Sequence, residues 1–197
     1  MSSKILKVEG KGIPKIMDDQ NTDDIIPGRF LKEITFKKMG EYVYYDERFK
    51  DGEKIKDHPF NKFEGGSILI AGKNYGCGSS REHAPQALYR YGVRAVVAES
   101  FAEIFAGNCA GIGIVTIKLS HDDITKLSEY VVNNPENELV LDLEKQSVIY
   151  GDNIVKGEMI EARRKAFIDG TWDAFSVLME EDTKQMYAKL KQEHIVK

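Results

Sequence analysis

Three short apolar runs constrain this chain more than any other feature: 67–72 (SILIAG), 93–99 (VRAVVAE) and 112–119 (IGIVTIKL). None alternates polar with apolar residues, so each reads as a strand covered on both faces. Between them, 84–92 (APQALYRYG) and 100–111 (SFAEIFAGNCAG) read as helices. Gly92 ends the first, and Ser100 with Glu103 three residues on has the spacing of a capping box opening the second. Strand, helix, strand, helix, strand at this spacing dictates parallel strands joined by right-handed crossovers. The expectation is an α/β fold with a parallel βαβαβ core.

The flanks are less regular. ILKVEGKGIPKI (5–16) reads as a short hairpin broken at Gly10–Gly12, and NTDDIIPGRFL (21–31) as a turn-rich segment around Pro27–Gly28. The aromatic and charged stretch 36–64 carries an Asp51–Gly52 turn and Pro59, which predicts a loop-rich, mobile insertion. HDDITKLSEYVVNN (121–134) has the period of an amphipathic helix capped by Ser120. NELVLDLEKQSVIYG (137–151) alternates like an antiparallel hairpin, and the tail reads as two helices divided at Gly170. A body over residues 1–165 with a helical extension over 166–197 is the expected organisation.

Bulk properties exclude several classes. The 197 residues suffice for one buried core. Net charge is −4, with acids and bases mixed along the chain, so nothing resembles a basic footprint for nucleic acid or anionic membrane. No apolar run approaches the roughly 20 residues of a bilayer span, and MSSKILKVEG has no apolar leader core. A cytoplasmic location is expected. Cys77 and Cys109 are the only cysteines, too few for a disulfide framework or for the usual four thiolates of an iron–sulfur cluster.

Chemistry concentrates in GKNYGCGSSREHAP (72–85), which lies between the first strand and its helix, where α/β proteins hold phosphates and carboxylates. Gly76 and Gly78 permit positive φ angles and close backbone approach, with Cys77 between them completing an anion-binding nest. Arg81 has the fork that grips a carboxylate. The segment lacks the lysine of a P-loop and the third glycine of a dinucleotide turn. A plainer reading has Ser79 as a helix cap paired with Glu82. Pro85 weighs against it, because a helix already running from Ser80 would need the missing N–H, whereas proline suits a first turn. A helix start near Ala84 leaves both serines and Arg81 in the loop. Cys77 has no acid or second histidine beside it and is disfavoured as a nucleophile. His83 reads as a buried hydrogen-bonding residue, and His58, His121 and His194 sit in polar sequence that carries no signal.

These residues carry a resemblance. NTDDIIPGRFL followed by ILIAGKNYGCGSSREHAPQAL and YGVRAVVAESFAEIFAGN is similar to the small subunits of 3-isopropylmalate dehydratases and to the fourth, swivelling domain of aconitase. The likeness runs from about residue 16 to residue 119, and YGCGSSREHAP is its most specific part. It implies a swivelling β/β/α domain with a mixed sheet, closing over a [4Fe–4S] cluster held by a separate large subunit. The implied reaction removes water from a hydroxy-acid and adds it back the other way round, turning 2-isopropylmalate into 3-isopropylmalate through isopropylmaleate in leucine biosynthesis.

Carried over by motif, Ser79 is the base that takes the proton from carbon, and Ser80 with Arg81 binds a substrate carboxylate. No metal ligand is expected on this chain. The segment RFLKE after IIPG is where the family selects its substrate, making Arg29 and Lys32 substrate-binding candidates, with Asp23 and Asp24 orienting the loop or Arg29. Lys32 also raises a homoaconitase small subunit, and a citraconate or dimethylmalate hydratase is a further alternative. Where the family carries a proline after the second helix, this chain has Val115 and Thr116. Some aconitase-like proteins bind RNA, a reading that the −4 charge opposes.

Overall fold

The computed structural model describes residues 4–33, 35–79 and 81–173. In chain order its elements are β1 (Lys7–Lys15), α1 (Thr22–Ile25), two 3-10 helices (Gly28–Lys32 and Phe36–Tyr42) and α2 (Tyr45–Arg48). A small ribbon of β2 (Phe49–Lys50) and β3 (Glu53–Lys54) and the short α3 (Pro59–Lys62) follow. Then come β4 (Ile68–Ala71), α4 (His83–Tyr91), β5 (Ala95–Ala98), α5 (Glu103–Gly111) and β6 (Val115–Lys118). The chain continues through α6 (His121–Asn133), β7 (Glu138–Asp142), β8 (Ser147–Tyr150), β9 (Asn153–Lys156) and α7 (Glu161–Asp169).

The expected parallel core is present: β4 pairs with β5, and β5 with β6, all parallel. It forms one end of a seven-stranded mixed sheet ordered β6-β5-β4-β1-β7-β8-β9. β1 is the seam. Its first half, Lys7–Lys11, pairs antiparallel with β7, and its second half, Gly12–Lys15, pairs parallel with β4. The expected hairpin at Gly10–Gly12 is therefore wrong; the segment is one nine-residue strand. Its glycines admit neighbours instead of making a turn. A Cβ on Gly10 would lie 2.0 Å from Ser67 Oγ, and one on Gly12 2.7 Å from a Val131 methyl.

Both faces of the parallel strands are covered, as their unbroken apolar runs require. Leu69, Val96 and Ala98 point into a cluster with α4, α5 and the 36–64 insertion, while Ile68, Ile70, Ala95 and Val97 point into one with α6, β7, β8 and Phe167 of α7. The insertion is not a loose loop. Met39, Val43, Tyr44 and Phe60 are fully buried in the first cluster, and burying such side chains contributes about 1.5–3 kcal/mol each. Gly40 makes this possible, since a Cβ there would lie 2.5 Å from the Arg90 backbone.

One helix cap corrects the sequence reading. α5 starts at Glu103 behind Ala102 with no side-chain cap; Ser100 Oγ instead accepts from the Asn74 amide at 2.8 Å. α4 starts at His83, close to the expected Ala84, and ends at Gly92 with φ 124°. Ser120 caps α6 as expected, and Gly170 ends α7 in the left-handed region. The second tail helix and His194 lie outside the described residues, and the expected division at 165/166 falls within α7. The 137–151 hairpin forms as expected and gains β9 as a third strand. Val115 donates to the Arg94 carbonyl at 3.0 Å, a bond that proline there would remove.

Candidate active site

The 72–82 loop leaves the carboxyl end of β4 and is fastened on both sides before α4 begins. On one side it is zipped to the segment following β1. Lys73 N–H donates to Asp18 Oδ1 (2.7 Å), Asp19 N–H to the Lys73 carbonyl (2.9 Å), Gly76 N–H to the Gln20 carbonyl (2.8 Å) and Thr22 N–H to the Cys77 carbonyl (2.9 Å). On the other side Tyr75 exchanges backbone bonds with the β5–α5 turn, donating to Ser100 and accepting from Ala102, both at 3.0 Å. The loop is a pinned bridge across two strand ends.

Glycine is required at both expected places. Gly76 has φ 79° and Gly78 φ 88°. At Gly76 a Cβ would also lie 2.1 Å from the Phe105 ring, so the backbone there rests directly on that side chain. Tyr75 packs edge-on to the same ring and meets the buried Tyr44 hydroxyl at 2.7 Å. Burial pushes the Tyr75 phenol well above its ordinary range, so it stays neutral.

Beyond this floor the loop opens. Ser79 is exposed; its carbonyl accepts from Thr22 Oγ1 at 2.9 Å, and its hydroxyl has no partner among the described residues. The amides of Gly78 and Ser79 likewise donate to no acceptor among the described residues. Free amides beside left-handed glycines form a concavity suited to an anion. Ser80 lies outside the described residues. Burial raises the Cys77 thiol, reinforced by Asp19, so its thiolate is disfavoured. His83 is half-buried and packs edge-on to Phe36 at 5.5 Å, in place of the buried hydrogen-bonding role expected for it.

The cations are distributed differently from the sequence expectation. Arg81 is about a third exposed and donates from Nη1 to Asp23 Oδ1 at 2.7 Å. Asp23 thus orients Arg81, whereas Asp24 accepts from the Asn21 amide and completes the capping box of α1. Arg29 pairs with Asp46 through both nitrogens and lies over the rings of Phe30 and Tyr45. Lys32 is exposed at the end of the same 3-10 helix.

Sequence reasoning missed a polar cluster under this site. Lys15, at the end of β1 and 3% exposed, donates to Glu47 Oε2 at 2.7 Å and sits over the Tyr44 ring. His58 is buried, contrary to the polar surroundings expected for it, with Nε2 3.5 Å from the same carboxylate. Burial alone would raise the Glu47 carboxyl, but the nearby His58 ring and the hydrogen bond from Lys15 outweigh it and hold it below its usual value. The only sequence hint was the Asp46–Glu47–Arg48 charge run. His121 also has a partner that the sequence did not suggest: its Nδ1 lies 2.8 Å from Glu99 Oε1.

Among the described residues no three His, Cys, Asp or Glu side chains converge as a metal site would require. Cys77 and Cys109 are free thiols, Cys109 fully buried. Two thiols are fewer than the four thiolates that usually hold an iron–sulfur cluster.

A mixed sheet with a parallel βαβαβ half and a glycine–serine–arginine loop at its carboxyl edge defines the aconitase C-terminal domain class, whose family model matches residues 2–122. Within that class the chain belongs to the 3-isopropylmalate dehydratase small-subunit family. It is 42% identical over 182 residues to a 3-isopropylmalate dehydratase small subunit of Thermus thermophilus, covering 91% of this chain and 90% of the relative. It is 38% identical over 184 residues to that of Synechocystis, covering 92% and 90%. The crystal structure of a 3-isopropylmalate dehydratase (leuD) from Methanocaldococcus jannaschii superimposes with a TM-score of 0.66 at 26% identity, covering 90% of this chain and 99% of that one.

Proposed function

We propose that this chain is the small subunit of a 3-isopropylmalate dehydratase, a hydro-lyase that interconverts 2- and 3-isopropylmalate through isopropylmaleate in the cytoplasm. The observation that carries the reading is the exposed Ser79 hydroxyl beside two free main-chain amides and Arg81, at the edge of a family-typical domain. The names of the relatives favour isopropylmalate over homoaconitate, citraconate or dimethylmalate as substrate.

In this reading Ser79 takes the proton from the substrate carbon. A hydroxyl is a weak base in water, and the amides of Gly78 and Ser79 with the nearby guanidinium stabilise the charge it needs. Gly76, Cys77 and Gly78 shape the nest, and Ser80 and Arg81 hold a carboxylate. Arg29 and Lys32, on the helix after Pro27, select the rest of the substrate. A large subunit completes the site, and its [4Fe–4S] cluster would supply the Lewis acid that the departing hydroxide requires. Asp23 holds Arg81 until a substrate carboxylate exchanges with it.

The test is reconstitution. The chain is mixed with a large subunit of the same family, and formation of the corresponding unsaturated acid is followed for each member of a panel of 2-isopropylmalate, homocitrate, citramalate and dimethylmalate. Activity that needs both chains and prefers 2-isopropylmalate is expected. Turnover by this chain alone, or preference for another acid, would overturn the reading.

A further inference from the structure

The 36–64 insertion holds a cavity of about 670 Å³ lined by none of residues 72–85. Its walls come from the 3-10 helix Phe36–Tyr42, from α2, from the β2–β3 ribbon and from the last turn of α4. Arg48 lines it and is only 4% exposed. Two of its five N–H groups are used: Nε donates to Asn61 Oδ1 and Nη1 to the Val43 carbonyl, both at 3.0 Å. No carboxylate lies within 4 Å of it among the described residues. The nearest acid on the cavity wall, Glu64, already binds Lys54 through both oxygens at 3.0 and 3.1 Å. Burial lowers the Arg48 guanidinium by more than the charge of Glu64 raises it.

A buried cation without a counter-ion is costly, and it is uncommon unless something else supplies the charge. Lys37 and Arg90 add two further cations at the same cavity, neither with an ion pair among the described residues. In all, four cations face two carboxylates, Glu41 and Glu64, on a chain whose net charge is −4. The remaining wall is aromatic. The Arg48 guanidinium lies 5.0 Å from the Tyr91 ring and 5.2 Å from Phe49, and Tyr42 and Tyr45 stand 6.4 Å apart on the other side.

We propose that this cavity is a second ligand site, separate from the glycine loop, that takes an organic monocarboxylate with an aromatic or branched apolar body. The carboxylate meets the unused Arg48 donors and the body packs among the tyrosines. Glu41 and Glu64 disfavour a dianion such as phosphate. Tyr42 stacks on Phe30 at 4.0 Å, and Arg29 lies over Phe30 and Tyr45, so the cavity shares its rings with the helix that carries Arg29 and Lys32.

The experiment titrates the full-length chain with phenylacetate, phenylacetamide and acetate, reading amide shifts by two-dimensional NMR. Phenylacetate is expected to shift residues 37–49 and 90–91 saturably. Phenylacetamide, which has the body without the charge, and acetate, which has the charge without the body, are each expected to bind about tenfold weaker or less. Arg48→Met should abolish the shifts. Because Arg48 also braces Val43 and Asn61, the exposed double variant Lys37→Ala/Arg90→Ala provides the independent arm: several-fold weaker binding with an unchanged thermal melt. Equal binding of amide and acid, shifts confined to residues 76–81, or no saturable shift in the folded wild type would each overturn the proposal.

Discussion

Arg81 Nη1 and Asp23 Oδ1 sit 2.7 Å apart although 58 residues separate them in the chain. This ion pair links the α1 turn to the glycine loop at the point where Thr22 also holds the Ser79 carbonyl. The proposed carboxylate-binding arginine is thus kept extended by a carboxylate of the protein itself. Replacing Arg81 with lysine keeps the charge but loses the fork, and charge-assisted bonds of this kind contribute about 1.5–3 kcal/mol. In the reconstituted enzyme, KM is expected to rise by at least about tenfold. Steady-state kinetics on 2-isopropylmalate check this.

Ser79→Ala removes a hydroxyl that no described residue uses, so the fold should be untouched. Turnover is expected to fall by about 10²–10⁴-fold, the usual effect of losing a positioned proton-transfer group. Unchanged circular dichroism and thermal melting, alongside the lost turnover, separate chemistry from folding. Retained activity would remove Ser79 from the role of base.

Gly76 and Gly78 share a left-handed backbone but differ in surroundings. Alanine at Gly78 meets its nearest neighbour at 3.4 Å and carries mainly backbone strain, about 1 kcal/mol. Alanine at Gly76 also collides with Phe105 and costs about 2–4 kcal/mol. Differential scanning calorimetry should show a drop of roughly 5–10 °C for Gly76→Ala and only a few degrees for Gly78→Ala.

The Glu47 carboxyl is held below its ordinary value of 4.5 by His58 and Lys15. A lowered folded value means that its stabilisation is fully present above that ordinary value and is lost as pH falls through the lowered one. Wild-type stability is therefore expected to decline as pH drops below about 4.5. Glu47→Gln should flatten that part of the profile and be less stable than wild type at neutral pH. Urea melts across the acid range provide the measurement.

Some of this architecture was legible because its causes are local. Ile68–Ala71 and Ala95–Ala98 announce burial on both faces through unbroken apolar runs, and Gly76 and Gly78 adopt the positive φ angles that their residue type suggests. β1 was misread because Gly10 and Gly12 look like punctuation. Their purpose is to admit Ser67 and Val131, which lie far off in sequence. The anchors of the insertion, Met39, Val43, Tyr44 and Phe60, are spread over elements too short to sustain a helical or strand period, so no pattern marks them as core. The Arg81–Asp23 and Lys15–Glu47–His58 contacts depend on tertiary proximity that no spacing rule reports.

The strand that joins the two halves of the sheet leaves the ribosome before either of its partners. Lys7–Lys11 finds its partner only in the stretch around residue 140, and Gly12–Lys15 only in β4. The nascent chain therefore carries an unpaired seam until Asp142 has emerged, and assembly of this domain is a long-range event rather than a stepwise one along the chain.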